Sequence, residues 1–198
     1  MVAGIPRNNV STPKDEWGTP DDLYAAIDSR YNPDIDLAAT AGNSKCDVYL
    51  SKIDPPGHTE LIGEKIRVCL GNLYEENLPI KGASCFMNPG YNKIDIEKSM
   101  HRAFDLSWQD NCTVVCLVTL CASGWFKRWA MQADEIQIIG RVNFVGYDLE
   151  GKVIKQSPTF DSCLVIFMPP NQRRRIFPLF TIFQWPGEDE LEAKMACE

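Results

Sequence analysis

The stretch Ala-Ser-Cys-Phe-Met-Asn-Pro-Gly-Tyr, residues 83–91, joins a short apolar run to a proline-containing turn. The run Ala83–Met87 is rich in strand-forming residues and is followed by Pro89, so it predicts a buried β-strand that opens into a loop. In open α/β sheets, ligands bind at the carboxyl ends of the strands. The loop Asn88–Tyr91 therefore places a carboxamide, backbone carbonyls and an aromatic ring where a ligand is expected.

The residue types in this loop suit chemistry on a conjugated amino group. An exocyclic amine such as adenine N6 is a poor nucleophile because its lone pair is delocalised into the ring. Two acceptors aimed at its hydrogens would localise that lone pair, and the Asn88 side-chain oxygen and the Pro89 carbonyl can form such a pair. Tyr91 can stack on a flat base, as in enzymes that extrude bases into aromatic pockets. The alternative interpretation is an ordinary turn, which this composition also favours.

Length and composition predict one globular domain. The chain has 198 residues, of which 44% are hydrophobic, and no apolar stretch approaches the roughly 20 residues that a membrane helix needs. The segment Met1–Lys14 is polar and lacks the apolar core of a signal peptide, so we expect a flexible arm and a cytoplasmic protein.

The cysteines and histidines do not predict a metal site. None of the eight cysteines belongs to a Cys-x-x-Cys pair, and His58 and His101 are not spaced as ligand partners. Cys85, Cys112 and Cys116 lie in apolar runs, where a free cysteine behaves as a small hydrophobic residue. We therefore expect free thiols in a reducing compartment and neither a metal-dependent nor a thiol-based mechanism.

The charge balance is unusual for a protein that binds nucleic acid. The formal net charge is −7, whereas binding to phosphates calls for a positive face. The run Arg173, Arg174 and Arg175 is the candidate for a local basic patch, and the alternative is a solvated turn after Pro169-Pro170.

A helix start precedes the opening stretch in the sequence. Thr19 as the N-cap residue, Pro20 at the first helical position and Asp22 two residues later predict a helix that begins here. Leu23 and Ile27 give this helix its apolar face. Helix capping does not account for Trp17, just before the cap.

An acidic residue lies on the next predicted strand. The apolar run Ile35–Ala39 carries Asp36 and leads into the small-residue loop Thr40–Asn43. A carboxylate at the end of a first strand is typical of doubly wound folds that bind nucleotide-like ligands, although the spacing is not Gly-x-Gly-x-x-Gly and a surface acid is the alternative. For the acid expected on a second strand, Asp54, in the turn Asp54–Gly57, is the best candidate.

Hydrophobic periodicity predicts alternating strands and helices in the rest of the chain. A helical stripe of apolar residues extends from Ile94 to Trp108, and a second helix is expected from a cap at Ser123 to about Gln132. Strands are expected at Ile66–Leu70, Thr113–Leu120, Glu135–Gly140, Arg141–Phe144 and Cys163–Met168. Together they predict a mixed α/β sheet.

Several motifs together resemble the phage-type DNA N6-adenine methyltransferase family. The likeness extends over about residues 15–169, and the motifs are Glu16-Trp17-x-Thr19-Pro20, Asp36-x-Ala38-Ala39, Asn43-x-x-Cys46-x-x-Tyr49, Asn88-Pro89-x-Tyr91, Trp125-Phe126, Gly140–Phe144 and Ser157–Phe160. The tetrapeptide at residue 88 is similar to the Asn/Asp-Pro-Pro-Tyr motif of these enzymes. Gly90 departs from it, because a second proline usually stands there, and a glycine is expected to loosen the loop.

The resemblance implies a fold, a cofactor and a substrate. The fold would be a Rossmann-like class I methyltransferase sheet, mostly parallel with an antiparallel terminal strand. The reaction would move a methyl group from S-adenosylmethionine to an exocyclic amine of a flipped adenine in double-stranded DNA, and a phage origin would place it in a host cytoplasm. The implied catalytic residues are Asn88, Pro89, Gly90 and Tyr91, and the implied cofactor-binding residues are Trp17, Thr19, Pro20, Asp36, Ala38, Asn43 and Asp54.

The organisation and two alternative functions follow. We expect a flexible arm at 1–14, a methyltransferase domain at 15–170 and a C-terminal extension with an acidic tail at 171–198. The apolar, proline-broken segment 176–185 is expected to pack across the domain or against another copy, which leaves the oligomeric state open. One alternative is a degenerate binding module, in which Gly90 marks lost catalysis. The other is an amino-methyltransferase acting on cytosine N4, an RNA base or a protein glutamine.

Overall fold

A computed structural model of the chain describes residues 17–147, 153–156, 158–173 and 176–185. The predicted arm at 1–14, the turn at 148–152, Arg174, Arg175 and the acidic tail lie outside the described residues. The proposed domain boundaries therefore stay predictions.

The described residues form a mixed α/β structure. Its helices are α1 (Asp21–Tyr31), α2 (Lys93–Gln109) and α3 (Gly124–Arg128), with a 3₁₀ turn at Ala130–Gln132. Its strands are β1 (Ile35–Asp36), β2 (Val48–Tyr49), β3 (Thr59–Ile62), β4 (Lys65–Cys69), β5 (Ser84–Met87), β6 (Thr113–Thr119), β7 (Glu135–Gly140), β8 (Phe144–Tyr147), β9 (Val153–Gln156), β10 (Ser162–Phe167) and β11 (Leu179–Ile182).

Nine of these strands form one sheet, in the order β11-β7-β10-β6-β5-β1-β2-β4-β3. The neighbours from β6 to β4 pair in parallel, as do β11 and β7. β10 is antiparallel to both of its neighbours, and β3 is antiparallel to β4. This mixed, mostly parallel α/β architecture confirms the predicted class and is compatible with a Rossmann-like sheet. The predicted antiparallel strand is β10, but it lies inside the sheet, and β11 follows it.

Side-chain alternation along β6 explains why the sheet is covered on both faces. Val114, Cys116 and Val118 point to one face and pack with residues of α2 and α3, whereas Val115 and Leu117 point to the other, toward α1. All five side chains are completely buried. A strand buried on both faces reads as a continuous apolar run, which is why the pattern predicted it correctly.

The helices largely match their predicted positions. α1 buries Leu23 and Ile27 as expected, but it begins at Asp21 and its N-cap residue is Pro20. The prediction of Thr19 as the cap was wrong, because the ψ angle of Pro20 is 144°, which is extended and not helical.

The helix expected up to about Gln132 is shorter than predicted. α3 ends at Arg128, and a 3₁₀ turn follows. Ser123 occupies the N-cap position of α3, but its side chain makes no capping hydrogen bond, and its hydroxyl instead lies 3.0 Å from the Cys121 thiol.

The strand predicted at Arg141–Phe144 was wrong. Residues 141–143 carry no strand, and Phe144 begins β8, which pairs with β9 in a separate two-stranded hairpin. A bridge between Gly18 and Val145, with N–H···O bonds of 2.7 and 2.9 Å, ties this hairpin to the segment before α1. No helix in the described ranges is long and apolar enough to cross a membrane.

Candidate active site

The Asn88 carboxamide is anchored on one side and free on the other. Its Nδ2 donates a hydrogen bond to the Trp17 carbonyl oxygen at 2.8 Å. Only the amide nitrogen can donate to a carbonyl, so this contact fixes which way the amide points. Its Oδ1 is buried and has no hydrogen-bond partner among the described residues. A buried acceptor without a partner is costly, which makes it a natural contact for a bound donor.

Sheet order brings Asn88 to the first predicted acid. β5 pairs with β1 in parallel, with Phe86 opposite Asp36, and the Leu37 N–H donates to the Phe86 carbonyl at 2.8 Å. The carboxyl ends of these two strands are therefore adjacent. Asp36 and Asn88, which are 52 positions apart in the sequence, line the same concave site.

The Asp36 carboxylate holds a loop. Its side chain is only 3% exposed, and its two oxygens accept hydrogen bonds from the backbone N–H groups of Ala38 at 3.2 Å and Lys45 at 3.0 Å. Burial raises the pKa of this carboxyl to about 6, against the effect of the two backbone donors. Asp36 thus orders the loop that forms one wall of the site.

A second set of hydrogen bonds shapes the same loop. Asn43 Oδ1 accepts from the Thr40 backbone N–H at 2.8 Å and lies 3.2 Å from the Thr40 hydroxyl. Asp54 stands behind the loop, where its Oδ2 accepts from the Tyr49 hydroxyl at 3.0 Å and the Ala41 N–H at 3.3 Å. Asp54 therefore braces the loop and is not part of the concave lining.

The structure brings most of the predicted cofactor residues together. Five of the seven line the concave site with Asn88, and Pro20 and Asp54 do not. The five are Trp17, Thr19, Asp36, Ala38 and Asn43. Gly18, Lys45 and Phe86 complete the lining and were missed, although each is a sequence neighbour of a predicted residue or strand. Lys45 Nζ also pairs with Asp21 at 2.5 Å.

Tyr91 belongs to an aromatic cluster beside the loop. Its ring centroid lies 6.1 Å from Trp17, 5.5 Å from Phe144 and 5.5 Å from Phe160. Its hydroxyl is buried without a partner among the described residues, and burial raises its pKa well above the ordinary value. The ring is thus held by three others, one of which, Trp17, also accepts the hydrogen bond from Asn88 through its carbonyl.

A cavity of about 560 Å³ is lined in part by Tyr91. Tyr91, Phe160 and Trp125 supply aromatic walls, and Lys93 and Arg128 supply positive charge. The sequence did not mark these two cations, because they lie singly on helices 35 positions apart.

Arg173 lies away from this site. It follows β10, which is antiparallel, so it sits at the edge of the sheet where the parallel strands begin. Its Nε lies 3.5 Å from Asp134 Oδ2, and its guanidinium lies over the rings of Phe104 at 5.5 Å and Trp108 at 5.1 Å. The predicted role of Arg173 in nucleic-acid binding is not supported by this position. No cluster of three or more metal-ligating side chains occurs within the described ranges.

One comparison with known proteins gives a match. A family model described as DNA N-6-adenine-methyltransferase (Dam) matches residues 71–185, which are 115 of the 198 residues. The match contains the Asn88–Tyr91 loop and the cavity beside it, and it begins after the loop that Asp36 holds. No curated protein gives a significant match to the chain.

Proposed function

The chain belongs to the DNA N-6-adenine-methyltransferase (Dam) family, and from this premise we propose that it methylates N6 of an adenine flipped out of double-stranded DNA, using S-adenosylmethionine. The observation that carries the proposal is the free, buried Oδ1 of Asn88. We also propose that its sheet is the Rossmann-like class I methyltransferase sheet, with 15–170 as the catalytic domain. The extension beyond 170 adds β11 to that sheet.

The amine is activated by two acceptors. One N6 hydrogen donates to Asn88 Oδ1, whose direction is set by the bond from Nδ2 to the Trp17 carbonyl. The other donates to the Pro89 carbonyl, one residue further along. Both bonds strengthen as positive charge develops on N6, so they stabilise the transition state more than the ground state. Neither group needs to accept a full proton before the methyl group moves.

The concave site has a volume of about 20 Å³, so it would have to widen to admit the proposed cofactor, and what supports that cofactor is the chemistry of the lining. It combines an aromatic ring (Trp17), a hydroxyl (Thr19), an ammonium group (Lys45) and a hydrogen-bonded small-residue loop beside the orphaned Asn88 oxygen. When bound, S-adenosylmethionine supplies an electrophilic methyl group on a sulfonium that leaves as a neutral thioether. Asp36 would position the loop and not contact the cofactor itself, because its oxygens already accept hydrogen bonds from the loop N–H groups.

The bonds balance without a metal or a covalent intermediate. The cofactor would supply the methyl group, with the N6 lone pair making the new N–C bond and the electron pair of the broken C–S bond staying on sulfur. N6 then loses one of its two hydrogens as a proton to solvent, while Asn88 and Pro89 still face it. Tyr91 would present its ring to the base, with Trp17, Phe144 and Phe160 holding it in place.

The test is methyl transfer from radiolabelled S-adenosylmethionine to duplex DNA. We expect transfer by the wild type and a loss on the order of 10²–10³ in kcat for Asn88→Ala, as for removal of one preorganised transition-state contact. Gln109→Ala, an exposed amide at the end of α2, is the matched control. Digestion of the product with nucleases sensitive to adenine methylation identifies the modified base. Wild-type protein that binds the cofactor but modifies no DNA would overturn the proposal.

A further inference from the structure

Among the described residues, cationic side chains lie at both edges of the sheet. Arg30, Lys65, Lys81 and Arg173 lie where the parallel strands begin, and Lys93, Lys127, Arg128 and Arg141 lie where they end, on the side of Asn88. The chain is acidic overall, with a net charge of −7. Attraction of a polyanion must therefore depend on a local group of charges.

Lys93 and Arg128 share a cavity with Tyr91 of the Asn88–Tyr91 loop, which we call the catalytic loop, whereas Lys45 lines the concave site with Asn88. Lys93 is the first residue of α2, two positions after Tyr91, and Arg128 is the last residue of α3, which follows β6. Both line the cavity of about 560 Å³ that Tyr91 and Phe160 border. Lys93 is exposed, and no ion pair among the described residues involves it.

Within the part of the chain that the structure describes, Arg128 pairs with one acid, Glu97. Its Nη1 lies 2.5 Å from Glu97 Oε1, and the two side chains are 62% and 32% exposed. An ion pair this exposed contributes little free energy, so a phosphate oxygen can replace the carboxylate. The neighbouring acid, Asp95, is already paired with Lys52 at 2.8 Å and accepts from Asn92 Nδ2 at 2.7 Å. Glu97 is therefore the acid that competes for Arg128.

The cavity at the opposite edge of the sheet does not offer the same chemistry. It has a volume of about 670 Å³, but Asp134 and Glu135 line it, and its cation, Arg173, is held by Asp134. Two carboxylates line that cavity and repel a phosphate, whereas the cavity beside Tyr91 has one, Glu97, and joins the two cations Lys93 and Arg128 to aromatic walls. That combination fits a nucleotide, in which a charged phosphate is linked to a flat base.

We propose that Arg128 and Lys93 bind the phosphodiester backbone of the strand that carries the acceptor base, and that Glu97 releases Arg128 when a phosphate arrives. This inference rests on the proposed function. Arg128 supplies the planar fork that pairs with two phosphate oxygens, and Lys93 supplies a point charge next to the catalytic loop. Glu97 sets the affinity by holding Arg128 in the free protein.

The experiment measures binding of a short fluorescein-labelled DNA duplex to the full chain over a series of salt concentrations. Each lost phosphate contact lowers the slope of log K against log salt by about 1. We expect Arg128→Ala and Lys93→Ala each to show this change, with affinity on the order of fivefold weaker at about 0.1 M salt. Glu97→Gln should bind several-fold more tightly than the wild type. Lys81→Ala, an exposed lysine at the opposite edge, is the control and should change neither quantity.

The outcomes separate this inference from the proposed function. If the wild type methylates DNA but Arg128→Ala and Lys93→Ala keep its affinity and slope, the phosphate contact is refuted and the methyltransferase proposal stands. A Glu97→Gln variant with unchanged or weaker affinity would refute the competition. If the wild type neither binds nor methylates DNA, both proposals fail together. Combining Glu97→Gln with Arg128→Ala should abolish the gain in affinity.

Discussion

At the scale of single residues, the site depends on a side chain that is fixed at one end and unsatisfied at the other. The Nδ2 of Asn88 donates to the Trp17 carbonyl, and its Oδ1 remains available to accept a hydrogen bond from a ligand. The position of this residue was predictable from the sequence, because it follows a buried strand and precedes a proline. Its anchor was not, because a backbone carbonyl 71 positions away leaves no mark in the side-chain pattern.

Asn88→Asp separates the acceptor from the anchor. An aspartate keeps an oxygen facing the amine but cannot donate to the Trp17 carbonyl, which it would repel. We expect methyl transfer to be slower than in the wild type but faster than in Asn88→Ala, measured as kcat with labelled cofactor. Equal losses in the two variants would show that acceptor chemistry at residue 88 does not drive the reaction.

Asp36 makes the stability of the protein depend on pH. Burial raises its pKa from the ordinary value of 3.8 to about 6 in the folded protein. The folded state thus binds the carboxyl proton of Asp36 more tightly than the unfolded state does. This difference adds to the free energy of unfolding; the contribution is complete below about pH 4 and is lost as the pH rises through 6. Two pKa units correspond to about 3 kcal/mol.

The measurement is urea unfolding of wild type and Asp36→Asn between about pH 4 and pH 7. Other ionisable groups that titrate alike in both proteins contribute equally to the two free energies of unfolding, so their contributions cancel when one is subtracted from the other. As the pH rises over this range, we expect the wild type to lose up to about 3 kcal/mol of its free energy of unfolding relative to the variant. Parallel pH curves for the two proteins would mean that Asp36 ionises as in an unfolded chain.

At the scale of secondary structure, α2 begins directly after the Asn88–Tyr91 loop, so the first turn of the helix fixes the direction in which the chain leaves the loop. Asn92 caps it, with Oδ1 accepting from the Asp95 N–H at 2.9 Å. We expect Asn92→Ala to lower the free energy of unfolding by about 1 kcal/mol, whereas Asn92→Ser, which can also cap, should lose less. Chemical denaturation followed by circular dichroism measures both. A loss as large in the serine variant would assign the effect to a contact other than the cap.

β11 is an edge strand without charged residues. Phe180 and Ile182 are 50% and 71% exposed, so this edge offers both free backbone groups and apolar side chains to another chain. We expect Ile182→Lys to leave the free energy of unfolding within about 0.5 kcal/mol of the wild type and to reduce self-association. Light scattering during a concentration series measures the second effect. Unchanged scattering would show that this edge does not mediate association.

Most of the elements that sequence patterns predicted have buried sides, with the largely exposed β4 as an exception. β5, β6, β7, β10 and α2 were found because burial on one or two faces imposes a continuous or periodic apolar pattern. β2 and β3 are short or exposed, and β11 is exposed and follows a proline, so none of the three has such a pattern. The hairpin of β8 and β9 was missed because it leaves the main sheet immediately after β7.

At the scale of the whole molecule, the two edges of the sheet have different roles. The edge where the parallel strands end collects Asn88, Asp36 and the Tyr91 cluster from parts of the chain that are distant in sequence. At the opposite edge, charges pair with one another, as Arg30 does with Glu135 at 3.9 Å. Strand order produced this division, and strand order cannot be read from local sequence patterns.

Arg173→Ala tests the division directly. The Arg173 side chain is 20% exposed and that of Asp134 is 9% exposed. Removal of the guanidinium would leave a nearly buried carboxylate whose one remaining donor within the described ranges is the Met168 N–H, at 2.8 Å. The contacts with the Phe104 and Trp108 rings would also be lost. We expect the free energy of unfolding to fall by about 1–3 kcal/mol, measured by urea denaturation. The affinity of the folded protein for duplex DNA and its salt dependence should stay as in the wild type, in contrast to Arg128→Ala. A salt slope reduced by about 1 without loss of stability would instead return Arg173 to the DNA-binding surface.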